Sequence, residues 1–183
     1  MKRIFGILVF LPFLTYSENL DAVELVIGEA RVEPGIVFIF EGAVKDKIIP
    51  KSMHLSKDQT HVHIEARVNW DDEMIPEGTP GGGFVPYLHI IAQVTNQETK
   101  LSSFVDLLPH INLVDNFHYA RNMSLPGKID DLYTVEFSVV RPSTIELAIH
   151  KDWLDTYGED LLEDRAFKYE NVDFEAIANA SRP

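Results

Sequence analysis

Apolar and polar positions alternate along most of this 183-residue chain with the period of strands. The run IVFIF at 36–40 is β-branched and aromatic, and it follows the turn signal Glu33-Pro34-Gly35. Residues 60–68 alternate strictly: Val62, Ile64, Ala66 and Val68 share one face, and His61, His63 and Glu65 the other. A long strand is predicted over 84–95, introduced by GTPGGG at 78–83 and ended by Asn96. After a short turn, 100–107 completes a hairpin. Residues 132–140 put Tyr133, Val135, Phe137 and Val139 on one face. The break Arg141-Pro142-Ser143 follows, and 144–150 resumes the alternation through Ile145, Leu147 and Ile149. Short acidic helix-compatible pieces occupy 152–165, a last strand is predicted over 167–174, and 176–183 reads as a loose tail. Short strands at regular spacing predict an all-β sandwich, not a βαβ fold.

The first residues depart from this pattern. MKRIFGILVFLPFLTYS has a basic start at Lys2 and Arg3, a nearly unbroken apolar run from Ile4 to Leu14, and a polar exit at Thr15-Tyr16-Ser17. That layout predicts a secretory signal peptide over 1–17, its apolar run too short to span a bilayer. The expectation is an exported protein with a single domain over 18–183. Acidic residues outnumber basic ones, 29 to 16, for a formal charge of −13. Such a surface repels phosphate backbones and draws cations, so no nucleic-acid partner is expected. Cysteine is absent, which excludes disulfides, thiolate metal sites and cysteine nucleophiles. A bound metal would have to use imidazole, carboxylate, thioether or backbone oxygen.

Seven histidines are available for such chemistry: 54, 61, 63, 89, 110, 118 and 150. His63 and Glu65 share a strand face, His110 follows Pro109 at the end of the hairpin strand, and His118 sits in DNFHYARN, which reads as loop. His150 ends an alternating stretch on the face opposite Ile145, Leu147 and Ile149. Spacing alone does not bring these groups together, and a sandwich can hold each of them singly at its surface. Other chemistries lack their signatures: there is no G-x-S-x-G, no H-E-x-x-H and no P-loop or dinucleotide fingerprint. The glycines at 81–83 lack the lysine and helix of a phosphate cradle and fit a tight turn instead. No catalytic role is expected, although redox cycling of a bound transition metal is compatible with the residues.

The fragments IGE (27–29), HIEA (63–66), the glycine-rich turn into FVPYL (84–88), LPH (108–110), HYARN (118–122) and RPS…H (141–150) stand in a familiar order. Together they resemble the periplasmic iron-transport protein family over roughly residues 25–174. The resemblance implies an Ig-like antiparallel β-sandwich, a homodimer in the periplasm, bound copper, and an inner-membrane iron permease as partner. It also implies metal ligands at His63, His118 and His150, with Asp152 two residues further on, and a glutamate, Glu65, tied to a second cation such as iron. His110 stands where the family usually carries methionine, Asn69 where a further histidine often occurs, and the loop before the HY histidine is one residue shorter.

The methionine-to-histidine change has chemical content. A thioether favours Cu(I), whereas imidazole suits Cu(II), Zn(II), Ni(II) and Fe(II), so a set of His63, His110, His118 and His150 is harder than the family's usual one. Neutral imidazole binds metal and imidazolium does not, so affinity is expected to fall through about pH 6 to 7. His61 is expected beside the site or in solvent, and His89 as a hydrogen-bonded structural residue. The alternative is a secreted Ig-like binding or adhesion module whose histidines are incidental.

Overall fold

The computed structural model describes residues 24–181. The expected signal peptide, 1–17, lies outside them. Among the described residues eight strands run as β1 (Glu24–Val32), β2 (Ile36–Ala43), β3 (Val62–Trp70), β4 (His89–Asn96), β5 (Ser102–Ile111), β6 (Phe117–Met123), β7 (Leu132–Val140) and β8 (Arg165–Asp173). Two short helices, α1 (Lys151–Tyr157) and α2 (Glu175–Asn179), follow β7 and β8. No helix among them is long and apolar enough to cross a membrane.

All strand pairings are antiparallel, in the order β1-β2-β3-β6-β5-β4-β7-β8. The all-β, antiparallel expectation holds. The strands hydrogen-bond as one continuous sheet that bends back on itself and nearly closes like a barrel. The bend is built into β5, which pairs with β4 up to Leu107 and with β6 from Leu108 onward. Pro109, which has no N–H to give a ladder, falls in the half that has left β4. At the other end β8 returns against β1. Gly28 makes that approach possible: a Cβ there would lie 2.0 Å from Cε1 of Tyr169 on β8.

The alternating residues of the central strands fill the interior. Phe38 and Phe40 of β2, the four apolar residues of β3, Ile90, Ala92 and Val94 of β4, and Tyr133 to Val139 of β7 are buried. Phe40 stacks on Phe137 across the interior at 4.1 Å between ring centroids. Each such large side chain contributes about 1.5–3 kcal/mol through burial.

Four expectations are corrected. Residues 84–88 are not strand: Tyr87 has a positive φ of 68°, and the segment is pinned by Tyr119. The Tyr119 hydroxyl donates to Val85 O (2.8 Å) and accepts from Leu88 N–H (3.1 Å). Residues 144–150 are not strand: 144–146 form a turn and 147–150 are irregular, the Glu146 carboxylate accepting from both the N–H and the hydroxyl of Ser143 and drawing the backbone into a loop. DNFHYARN is not a loop from Phe117 onward but β6. The C-terminal stretch is not wholly loose: α2 buries Ile177 and Ala178, and Lys45 Nζ donates to Ala178 O at 2.7 Å.

Candidate metal centre

Three adjacent strands bring the candidate residues together. β3 supplies His63 and Glu65, β6 supplies His118, and β5 places His110 directly opposite His118 in the ladder. The face opposite the apolar residues of β3 is therefore no solvent face: His63, Glu65 and His118 are buried. Ligand atoms of His63, His110 and His118 all lie within 4.8 Å of one another. They open on a cavity of about 410 Å³, lined on its other side by Val44, Asp46 and Ile48 from the β2–β3 connection.

Hydrogen bonds fix how two of these rings present themselves. Asn122, across the ladder from His63, donates through Nδ2 to Asp46 O and Leu55 O, which turns its Oδ1 toward the ring. His63 Nδ1 lies 2.8 Å from that oxygen and must donate, so the lone pair of the neutral ring is on Nε2. His118 Nδ1 likewise donates to Asn116 O at 3.1 Å. Both Nε2 atoms face the same Glu65 oxygen, at 3.8 and 3.7 Å. A partner on the far nitrogen that sets tautomer and ring angle is the arrangement metal-binding histidines need.

Three buried atoms at this spot have no hydrogen-bond partner: both ring nitrogens of His110 and Oε1 of Glu65. Buried polar groups are nearly always paired, and an unpaired one costs about 1–3 kcal/mol. A cation held by nitrogen and carboxylate donors satisfies Glu65 Oε1 and one His110 nitrogen, so the residues fit a metal ion. Electrostatics agree. Burial, and then Asp115, Glu41 and Glu24, push the Glu65 carboxyl up to about 8 against the pull of Arg67. Burial, and then its histidine neighbours, hold His110 down to about 3; burial also lowers His118. His110 thus stays neutral far below the pH 6 to 7 range in which proton competition was expected.

A second group adjoins the first. Carboxylate oxygens of Glu24, Glu65 and Asp115 also lie within 4.8 Å of one another, so Glu65 belongs to both sets. Glu41, paired across the ladder with Glu65, is engaged by Arg67 at 2.6 and 2.7 Å.

A model of the Fe2+ transport protein family matches residues 21–176. The chain belongs to that family. Solved structures share its fold. A copper-bound variant of P19 from Campylobacter jejuni superposes with a TM-score of 0.68 at 22% identity, covering 81% of this chain and 96% of that one. FetP from uropathogenic E. coli strain F11 gives 0.65 at 21% identity, covering 81% and 94%. The 34 kDa membrane antigen of Treponema pallidum (strain Nichols) is 30% identical over 97 residues, 53% of this chain, so the chain spans about half the length (47%) of that relative.

Of the expected site residues, His63, Glu65, His110 and His118 lie together, and His150 does not. His150 is exposed, at the position preceding α1, beyond the strand β7 that is separated from the site by β4. His89 binds the Glu146 carboxylate at 3.0 Å, as a hydrogen-bonded residue, although it is exposed. His61 stays outside the cluster and accepts from Leu125 N–H at 3.1 Å. Three residues escaped sequence reasoning: Glu24, Asp115 and His54. His54 sits in the β2–β3 connection with its ring centroid 5.0 Å from that of His110. No local spacing signals a contact between residues so distant along the chain.

Proposed function

We propose that this chain is a periplasmic metal-binding protein of ferrous iron uptake, holding copper at His63, His110 and His118 and iron beside it at Glu24, Glu65 and Asp115. The observation that carries the reading is the set of partnerless buried atoms on His110 and Glu65 at the meeting point of the two groups. Membership of the Fe2+ transport family and copper-bound relatives of the same fold support it. Imidazoles suit copper, the tightest-bound of the divalent series, which leaves the three carboxylates beside them to the less tightly bound Fe(II). Iron is the cargo in this reading. Glu65 lies between the two groups and carries a proton at neutral pH in the metal-free protein, so cation binding there releases one.

We further read the protein as an exported homodimer, an Ig-like sandwich in architecture, that works with an inner-membrane iron permease. An apolar cavity of about 730 Å³ supports the dimer: Phe117, Leu108 and Pro109 line it next to the metal centre, together with exposed Tyr87. Since His150 is remote from the centre of its own chain, its role as a ligand, implied by the family likeness, requires donation from the second copy. Calorimetric titration of the mature chain with Cu(II), Cu(I) and Fe(II) tests the proposal. The expected result is one tight copper per chain, lost in both His63→Ala and His110→Ala, with Fe(II) binding lost in Glu65→Gln. Absence of tight binding in the wild type overturns it in favour of an adhesion module with incidental histidines.

A further inference from the structure

His110 has two ring nitrogens, and the three-histidine group uses only one of them. The two nitrogens of an imidazole diverge on opposite sides of the ring, so a single ion cannot take both. A metal-bound histidine normally gives its far nitrogen to a carbonyl, carboxylate or water, as His63 and His118 do here through Asn122 and Asn116. His110 has no such partner: both its nitrogens are buried and without a hydrogen bond. The ring against its outer side is His54, edge-on at 62° and 5.0 Å between centroids, whose Nδ1 is also buried without a partner. Two imidazoles that each place a nitrogen about 2 Å from one ion have centroids roughly 5–6 Å apart, and this pair stands at that spacing.

His54 also faces outward. It lines two surface clefts, one bordering the inner cavity through Lys47 and Ile48, the other shared with Met53, whose side chain is half exposed. His54 is absent from the inner cavity's lining, while His110 is part of it. His54 thus borders surface clefts and His110 the inner cavity, with Met53 beside one cleft and Lys51 and Arg121 among the other residues that line them.

We infer that His54 and His110 form an outer docking station for a soft or borderline cation of the copper class, from which His110 hands the ion to His63 and His118. The inference rests on the metal-binding reading above and adds a route to it. His110 serves the two stations in turn, through one ring nitrogen and then the other, and Met53 supplies a soft first contact at the mouth. The pair itself is two imidazoles without a carboxylate, so it does not serve a hard ion such as Mg(II) or Ca(II).

Ag(I) is the probe, as a soft, redox-silent monovalent ion. In a chain carrying His63→Ala and His118→Ala, the outer pair alone remains, and one Ag(I) per chain should still bind. Adding His54→Ala to that chain should weaken the remaining binding at least tenfold. Adding His54→Met, which keeps a soft donor, should restore it, an outcome that a packing role for His54 does not produce. In the otherwise intact protein, His54→Ala should slow stopped-flow loading by about tenfold, with ¹⁵N shifts of the His54 ring on Ag(I) addition in the wild type. Equal Ag(I) affinity with and without His54 in the double variant, or equal loading rates in the intact protein, overturns the outer station while leaving the inner site standing. Failure of the wild type to bind Ag(I) or copper at all brings down both.

Discussion

Glu65→Gln separates what the fold tolerates from what the metal requires. The Glu65 carboxyl is 2% exposed and is pushed up from 4.5 to about 8 by burial and by Asp115, Glu41 and Glu24. Between those pH values the unfolded chain carries a carboxylate and the metal-free folded chain carries an acid. Folding then binds a proton, and stability falls by about 1.4 kcal/mol per pH unit as pH rises. The contribution is intact below pH 4.5 and lost progressively toward pH 8. From pH 4.5 to 7 the loss accumulates to about 3 kcal/mol, a large fraction of the stability of a domain this size. Glutamine has nearly the same shape and no charge to desolvate. Urea denaturation in the presence of a chelator, followed by the fluorescence of Trp70 and Trp153, should find the variant equal to wild type near pH 4.5 and about 3 kcal/mol more stable at pH 7. A difference that stays flat from pH 4.5 to 8 refutes the reasoning. Adding Fe(II) should stabilise the wild type and leave the variant unchanged, because only the wild type keeps the carboxylate that binds it.

Further predictions follow from the same geometry. Cation affinity in the wild type should rise with pH up to about 8, the value of Glu65, with no separate step from His110, which is held down to about 3; Glu65→Gln should flatten that profile in a pH-resolved titration. Asn122→Ala removes the acceptor that sets the His63 tautomer and should cost about 10–100-fold in copper affinity by competition titration. Tyr119→Phe leaves Val85 O and Leu88 N–H without their buried partner and should lower stability by about 1–3 kcal/mol in denaturant unfolding. Gly28→Val drives a side chain into the Tyr169 ring and should reduce the denaturation midpoint, with Tyr169→Ala partly restoring it in the double variant.

Where periodicity and burial coincide, the fold was legible in the sequence. The alternation of Val62, Ile64, Ala66 and Val68 and that of Tyr133 to Val139 mark core strands, and they also placed His63 and Glu65 on one face of β3. What misled was local pattern overruled by specific hydrogen bonds. Residues 84–88 read as strand, but Tyr119, more than thirty residues away, takes their backbone groups. The alternation at 144–150 is real, yet Ser143 and Glu146 fold it into a turn that leaves Ile145 96% exposed. His118 was read as loop because the polar residues of DNFHYARN hide a strand whose other face packs Tyr119 into the core. His54, Glu24 and Asp115 reach the site through tertiary contact alone, and single-chain spacing carries no trace of that. Family likeness thus pointed to His63, Glu65 and His118, which lie together, and to His150, which does not, whereas the two groups sharing Glu65 were not legible.

The most direct test of the account is a crystal of the copper-loaded protein with anomalous diffraction measured at the copper edge. The account predicts one peak per chain, about 2 Å from ring nitrogens of His63, His110 and His118. A copper peak remote from all three imidazoles, with their rings still gathered around an ion-free cavity, would contradict it.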